Sequence, residues 1–211
     1  VWVNGLDTSQ PANFASIRRI VGMVFQNPED QIIASSVEEE VAFGMENLGI
    51  PRAEMHGRIQ QTLKEYDLWR ERRRPPQLMS SGQIQRLAMA GVLVMRPQCL
   101  IFDETTAMLD PVGRETVMRS IHQMHERGLT VIFITHSMEE AVQAERVLVM
   151  QAGQLVMDDT PAKVFAHSSQ IRKLGLELPR ATSLAVQLED HLESIGRTIL
   201  APDDLLAAIP S

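Results

Sequence analysis

Four short stretches of the chain end in residues able to do polar chemistry. One is Cys99-Leu100-Ile101-Phe102-Asp103-Glu104, an apolar run closed by two acids. A buried strand of that kind presents both carboxylates at the carboxyl edge of a parallel sheet, where such folds bind ligands. One acid there suits a magnesium ion, held directly or through water, and the other suits polarising an attacking water. The same letters also fit a strand end followed by a helix-capping acid. A second stretch is Met79-Ser80-Ser81-Gly82-Gln83, running into Ile84-Gln85-Arg86-Leu87-Ala88. A Ser/Gly turn that opens a helix leaves backbone N–H groups unpaired with the positive dipole end behind them, which makes an anion site. An ordinary N-cap has the same appearance. The third, Val131-Ile132-Phe133-Ile134-Thr135-His136, sets a histidine just past a strand. It would share the sheet edge with Glu104 and could bond a terminal phosphate or a water, or serve only as a structural residue. Gln26 closes the apolar run at 20–25 in the same manner and offers a neutral oxygen to a metal or water.

These residues need a sheet to carry them, and the pattern supplies one. Strands are expected at 20–25, 99–102, Thr130–Ile134 and 147–149, with 154–157 following the Ala152-Gly153 turn. Three of them lack strict alternation, as strands covered on both faces do. Helices are expected at 53–69, 81–95, Pro111–Glu126 and 138–143. Ile59, Leu63 and Tyr66 form one apolar stripe in the first, and Pro111 suits a first helical position. More than seventy mostly helical residues separate Phe25 from Cys99, too many for a single crossover. The reading is α/β with a mostly parallel sheet, a helical subdomain inserted at about 27–96, and a main domain ending near 160. Residues 161–211 read as a small carboxyl-terminal extension with helices at 183–192 and 203–208, broken by Pro179 and Pro202.

Composition narrows the functions. With 44% hydrophobic and 22% charged residues, the 211-residue chain can bury a core, and 12 glycines and 11 prolines exclude a collagen-like or low-complexity protein. The net charge of −7 argues against nonspecific binding to nucleic acid. Cys99 is the single cysteine, so no internal disulfide forms and a reducing compartment is expected. The longest apolar run, about 87–95, lies between Arg86 and Arg96 and falls short of the roughly 20 residues a membrane span needs. No secretory leader and no initiating Met open the chain, so it reads as starting within a longer sequence.

Taken in order, the four stretches resemble an ATP-binding cassette (ABC) ATPase from Val1 to about Thr160. The resemblance makes Gln26 the Q-loop glutamine, Ser80, Ser81, Gly82 and Gln83 the signature motif, and Asp103 and Glu104 Walker B and the catalytic glutamate. Ala107-Met108-Leu109-Asp110 then matches the D-loop and His136 the switch histidine. Phe25-Gln26-Asn27-Pro28-Glu29-Asp30-Gln31, with Val41-Ala42-Phe43-Gly44-Met45-Glu46-Asn47, is similar to the ATPases of energy-coupling factor (ECF) transporters. Leu178-Pro179 and Leu184-Ala185 in the tail resemble that group's carboxyl-terminal extension.

The resemblance implies ATP and Mg2+ as ligands, with Asp103 and Gln26 serving the metal and Asp110 the nucleotide. It further implies a second ABC ATPase subunit, identical or paralogous, arranged head to tail so that each signature covers the other's ATP. A membrane scaffold protein and a substrate-capture membrane protein would complete a vitamin or transition-metal importer, with this chain peripheral on the cytoplasmic face of a prokaryotic membrane. Nucleic acid is not an expected partner. The alternative is a non-hydrolysing subunit lending its signature to another ATPase, or a decayed fragment.

Three departures qualify the match. The phosphate-cradling loop G-x-x-x-x-G-K-[ST] does not occur, and Lys64, Lys163 and Lys173, the only lysines, all follow residues other than glycine. The expectation is that this loop lies upstream and that these residues alone bind ATP poorly in their own site. Ser81 stands where the family usually has glycine, and Ala107 where serine is usual. The Arg70, Arg72, Arg73, Arg74 run reads as a solvated loop, with contact to phospholipid headgroups or scaffold as the other possibility.

Overall fold

All five expected strands form in the computed structural model of the chain, which describes residues 1–107, 109–188 and 199–208. Two additional short strands, β1 (Trp2–Val3) and β2 (Leu6–Asp7), make an antiparallel hairpin turned by Asn4 and Gly5, both at positive φ. Helix α1 (Phe14–Ile20) runs straight into β3 (Val21–Val24), so the strand expected at 20–25 is shorter at both ends. Pairing sets those limits: Val21 lies opposite Cys99 and Val24 opposite Phe102. Helices α2 (Val37–Asn47), α3 (Arg52–Glu65) and α4 (Ser81–Leu93) fill the insertion. Then follow β4 (Cys99–Asp103), α5 (Pro111–Glu126) and β5 (Thr130–Ile134). The three long-range strands lie in the order β3-β4-β5, all parallel.

The chain divides into two compact units, Val1–Ile134 and Thr135–Ser211. In the first, α4 separates two apolar clusters. On one side Val37, Val41 and Met45 of α2 and Met55, Ile59 and Leu63 of α3 pack with Leu87 and Ala90. On the other, Ala88 and Met89 join Val24, Leu100 and Phe102 of the sheet and Val117, Ile121 and Met124 of α5. The i, i+4 spacing within each helix puts these side chains on one face. Gly22 lets α4 close onto the sheet, since a Cβ there would sit 2.3 Å from Val92 Cγ1 and 3.0 Å from Leu100 Cδ2.

Helices α3 and α4 both stop short of expectation, and for the same reason. Asp67 and Arg96 take left-handed backbone at φ 55 and 56. After α3 the Leu68 N–H donates back to Leu63 O at 2.7 Å and the Asp67 N–H to Lys64 O at 3.2 Å, a Schellman closure without glycine. Strand β5 also differs from the expectation of two covered faces. Val131 and Phe133 pack into the core, while Ile132 and Ile134 are 46% and 45% exposed among the described residues.

The second unit holds α6 (Met138–Ala141), β6 (Val147–Gln151) and β7 (Gln154–Asp159), followed by α7 (Pro161–Ala166), α8 (Ser168–Lys173), α9 (Arg180–Leu188) and α10 (Pro202–Ala208). Strands β6 and β7 pair with each other, antiparallel, and not with the parallel sheet. Val149, Val164, Phe165, Ile171 and Leu178 make this unit's main core, and Ala181, Ala185, Ile199 and Leu205 a smaller one. The helix expected at 138–143 is a single turn, and that expected at 183–192 starts earlier, at Arg180, with 189–192 outside the described residues.

Candidate functional site

Parallel pairing brings the ends of β3, β4 and β5 to one edge, and Gln26, Asp103 and Glu104 stand at the ends of the first two. Glu104 leaves β4 with a left-handed backbone at φ 48. That conformation costs a residue with a Cβ of order 1–3 kcal/mol. The Glu104 N–H donates to Ile134 O at the end of β5 at 2.9 Å, which holds the turn in place. The Gln26 Nε2 donates to Glu104 Oε2 at 3.1 Å, joining residues 78 positions apart. With its amide nitrogen so engaged, Gln26 keeps a carbonyl oxygen as acceptor. Asp103, the last residue of β4, is half-buried beside Glu104.

The loop after Glu104 is tightly wound. Ala107 N–H donates to Glu104 O at 3.0 Å and Leu109 N–H to Thr106 O at 3.2 Å, with Thr105 and Thr106 buried beneath. Asp110, expected to bind nucleotide, acts within this chain as the N-cap of α5, its Oδ1 accepting from the Gly113 N–H at 2.7 Å. A Cβ on Gly113 would come within 2.9 Å of that oxygen. Met108, placed in the same loop by sequence, lies outside the described residues.

The Ser/Gly turn is a full capping box. Ser80 Oγ accepts from the Gln83 N–H at 3.4 Å, and the Ser80 N–H donates to Gln83 Oε1 at 3.0 Å. Ser81 and Gly82 are exposed, and a Cβ on Gly82 would meet nothing within 4 Å. The glycine therefore answers no packing need of this chain, and the remaining N–H groups at this thirteen-residue helix start stay open to an anion. One turn further on, Arg86 Nε donates to Tyr66 O at 3.1 Å and ties α4 to the end of α3.

His136 is exposed, two residues past the end of β5. It stands in a turn whose supports sequence reasoning missed: the Ser137 N–H donates to Thr135 Oγ1 at 2.9 Å, and Thr135 Oγ1 donates to the buried carboxylate of Glu140. The signal available was Thr-x-Ser followed by an acid inside the next helix turn. The arginine run is a solvated loop only in part. Arg70, Arg73 and Arg74 are exposed, but Arg72 stacks on Trp69 at 4.5 Å, with Lys64 at 6.0 Å from the same ring. The carbonyls of Arg72 and Arg74 accept from the Glu38 and Val37 N–H groups at 2.9 and 3.1 Å, capping α2.

Chemically, the edge offers hard oxygen donors at Asp103 and Gln26 and a carboxylate at Glu104 for a proton or a water. Among the described residues no group of three or more His, Cys, Asp or Glu could hold a metal ion by itself. Mg2+ needs no such group, since it takes one or two carboxylates and completes its shell with phosphate and water oxygens. The residues therefore fit a magnesium ion that arrives with a phosphate ligand. Away from that edge, at the start of β4, burial pushes the Cys99 thiol above its ordinary range, and after α3 burial reinforced by the Glu65 charge pushes the Tyr66 phenol up.

Comparison with known proteins gives consistent results. The family model described as ABC transporter matches residues 1–107. The energy-coupling factor transporter ATP-binding protein EcfA1 of Clostridium novyi is 47% identical over 99% of this chain and 75% of its own length. The protein of the same name from Symbiobacterium thermophilum is 50% identical over 99% of this chain and 73% of its own. Among solved structures, cbiO1 from Clostridium perfringens, part of the ABC transporter complex cbiONQ, aligns with a TM-score of 0.70. It is 35% identical and covers 87% of this chain and 74% of that one.

Proposed function

The chain belongs to the ABC transporter family of ATPases, a nucleotide-binding family, and from that premise we propose the following roles. It is the ATP-binding and ATP-hydrolysing subunit of an ECF-type transporter, powering uptake of a vitamin or transition-metal ion across a prokaryotic cell membrane. The names of its relatives support this, as does the place of cbiO1 in a multi-subunit complex. The chain would pair with a second ABC ATPase and sit on the cytoplasmic face, beneath a scaffold protein and a substrate-capture membrane protein. No described helix is long and apolar enough to cross a membrane. Residues 1–160 form the ATPase part, with its helical subdomain at about 27–96, and 161–211 the extension. Among the described residues only helices, α7–α10, follow β7, which supports that division.

The observation that carries the mechanism is the Gln26–Glu104 hydrogen bond at the carboxyl edge of the parallel sheet. Phosphoryl transfer to water needs a positioned nucleophile and neutralised charge more than covalent help. Glu104 accepts a hydrogen bond from the attacking water and orients it, or takes its proton. Its left-handed backbone and the bond to Ile134 O fix where that carboxylate stands. Gln26 holds the carboxylate through its amide nitrogen, while its oxygen and Asp103 would hold the magnesium ion. That ion, when bound, offsets the phosphate charge. His136 donates to the γ-phosphate. The open α4 start, with Ser80, Ser81, Gly82 and Gln83, covers the ATP of the partner subunit, and Asp110 lies at the same seam.

The test is Glu104→Gln in the full-length protein. Nucleotide binding is expected to persist while hydrolysis falls by about three orders of magnitude or more. Hydrolysis within about tenfold of wild type removes Glu104 from this role. A subunit that only lends its signature would make no use of the Gln26–Glu104 pair and would show wild-type complex activity with the substitution in place.

A further inference from the structure

The segment between Gln26 and α2 is held by a carboxylate with no role in the mechanism above. Glu40, in the first turns of α2, accepts two consecutive backbone N–H groups on one oxygen: Ile33 N–H to Oε2 at 2.9 Å and Ala34 N–H to Oε2 at 2.8 Å. Two charge-assisted bonds to adjacent amides fix a stretch of backbone in position and direction. A second tie is the Ser35 hydroxyl, which donates to Glu39. Inside the segment, the 3-10 turn Pro28–Gln31 is closed by its own bonds, Asp30 N–H to Asn27 O at 3.2 Å and Asn27 Nδ2 to Asp30 Oδ2 at 2.8 Å.

One end of this segment is therefore β3 and Gln26, bonded to Glu104, and the other is pinned to α2 by Glu40. The start of α2 is in turn capped by the carbonyls of Arg72 and Arg74, a few residues ahead of Ser80. We propose that Glu40 is a positioning residue that fastens the Gln26-bearing segment to α2, so that Gln26 keeps its place against Glu104. The inference rests on the reading of Gln26 and Glu104 given above. A helix-start acid could instead serve only the helix dipole. That role would not need both amides to converge on a single oxygen.

The test uses the full-length ATPase and compares Glu40→Ala, Glu40→Gln, Ser36→Ala and Gln26→Ala. Glutamine keeps an oxygen able to accept two N–H groups. Ser36 caps the same helix by accepting from the Glu39 N–H at 3.3 Å, while the Ile33 and Ala34 amides go to Glu40. Glu40→Ala is expected to lower kcat by about tenfold or more with KM for ATP within about threefold. Exchange of the Ile33 and Ala34 amides should rise by about tenfold or more. Glu40→Gln should restore kcat to within about threefold of wild type, and Ser36→Ala should stay there as well. A Glu40→Ala enzyme at wild-type kcat, a Glu40→Gln enzyme that stays low, or an equal fall with Ser36→Ala overturns the proposal. Gln26→Ala separates the two readings. If it keeps wild-type turnover, the reading of the site falls and the role of Glu40 with it. If Gln26→Ala falls and Glu40→Ala does not, only the role of Glu40 is lost.

Discussion

At the scale of single residues, the site depends on backbone as much as on side chains. Glu104 occupies a conformation that glycine would adopt at less cost, yet glycine has no side-chain oxygen to meet Gln26 Nε2. The residue types were legible in sequence, because Asp103-Glu104 after an apolar run says what is offered and on which edge. The contact itself was not, since its partner lies 78 residues away and the left-handed turn has no glycine to announce it. Cys99, at the other end of β4, gives a check on the burial of this strand. Burial raises its thiol, so at any given pH less of it is thiolate, the form that reacts. Alkylation by iodoacetamide near pH 8 is expected to run several-fold slower than for a free cysteine and to recover in denaturant. Equal rates in the folded and unfolded chain would contradict the packing of β4.

At the scale of elements, periodicity located the interior of each helix and strand better than its ends. Helix α5 and strand β5 match their expected limits because a proline, a left-handed Gly128 and a β-branched run mark them locally. Helices α3 and α4 end just ahead of the left-handed Asp67 and Arg96, residues that do not advertise a stop. Strand β3 is shorter than its apolar run because its limits are set by pairing, Val21 with Cys99 and Val24 with Phe102. The short helix α1 carries no side-chain cap and left no signal. Packing between elements is testable at Gly22, under α4. Gly22→Ala places a methyl 2.3 Å from Val92 Cγ1 and is expected to destabilise the chain by about 1–3 kcal/mol, read as a lower denaturant midpoint with unchanged slope. Gly82→Ala, at an equally small residue with open space around it, should change stability by no more than about 0.5–1 kcal/mol. Similar losses at both positions would mean that α4 does not lie against β3 as described.

At the scale of the whole molecule, the net charge of −7 and the missing glycine-lysine loop shape what these residues can do unaided. A loop of that kind supplies most of the backbone and lysine contacts to the β- and γ-phosphates. A polypeptide of these 211 residues is therefore expected to bind ATP in its own site only weakly, and a titration reaching half-saturation in the micromolar range would refute this. One feature bears on how such a molecule can change over generations. The arginine stretch holds α2 through main-chain oxygens of Arg72 and Arg74, atoms that every amino acid possesses. Apart from Arg72, whose side chain stacks on Trp69, its letters are therefore nearly free to drift, while its length is not. A single inserted or deleted residue between Trp69 and Pro75 would slide those oxygens off the helix start. Descendants of this chain should differ freely there in spelling and hardly ever in spacing, and a survey that found gaps as common as substitutions would contradict the capping role.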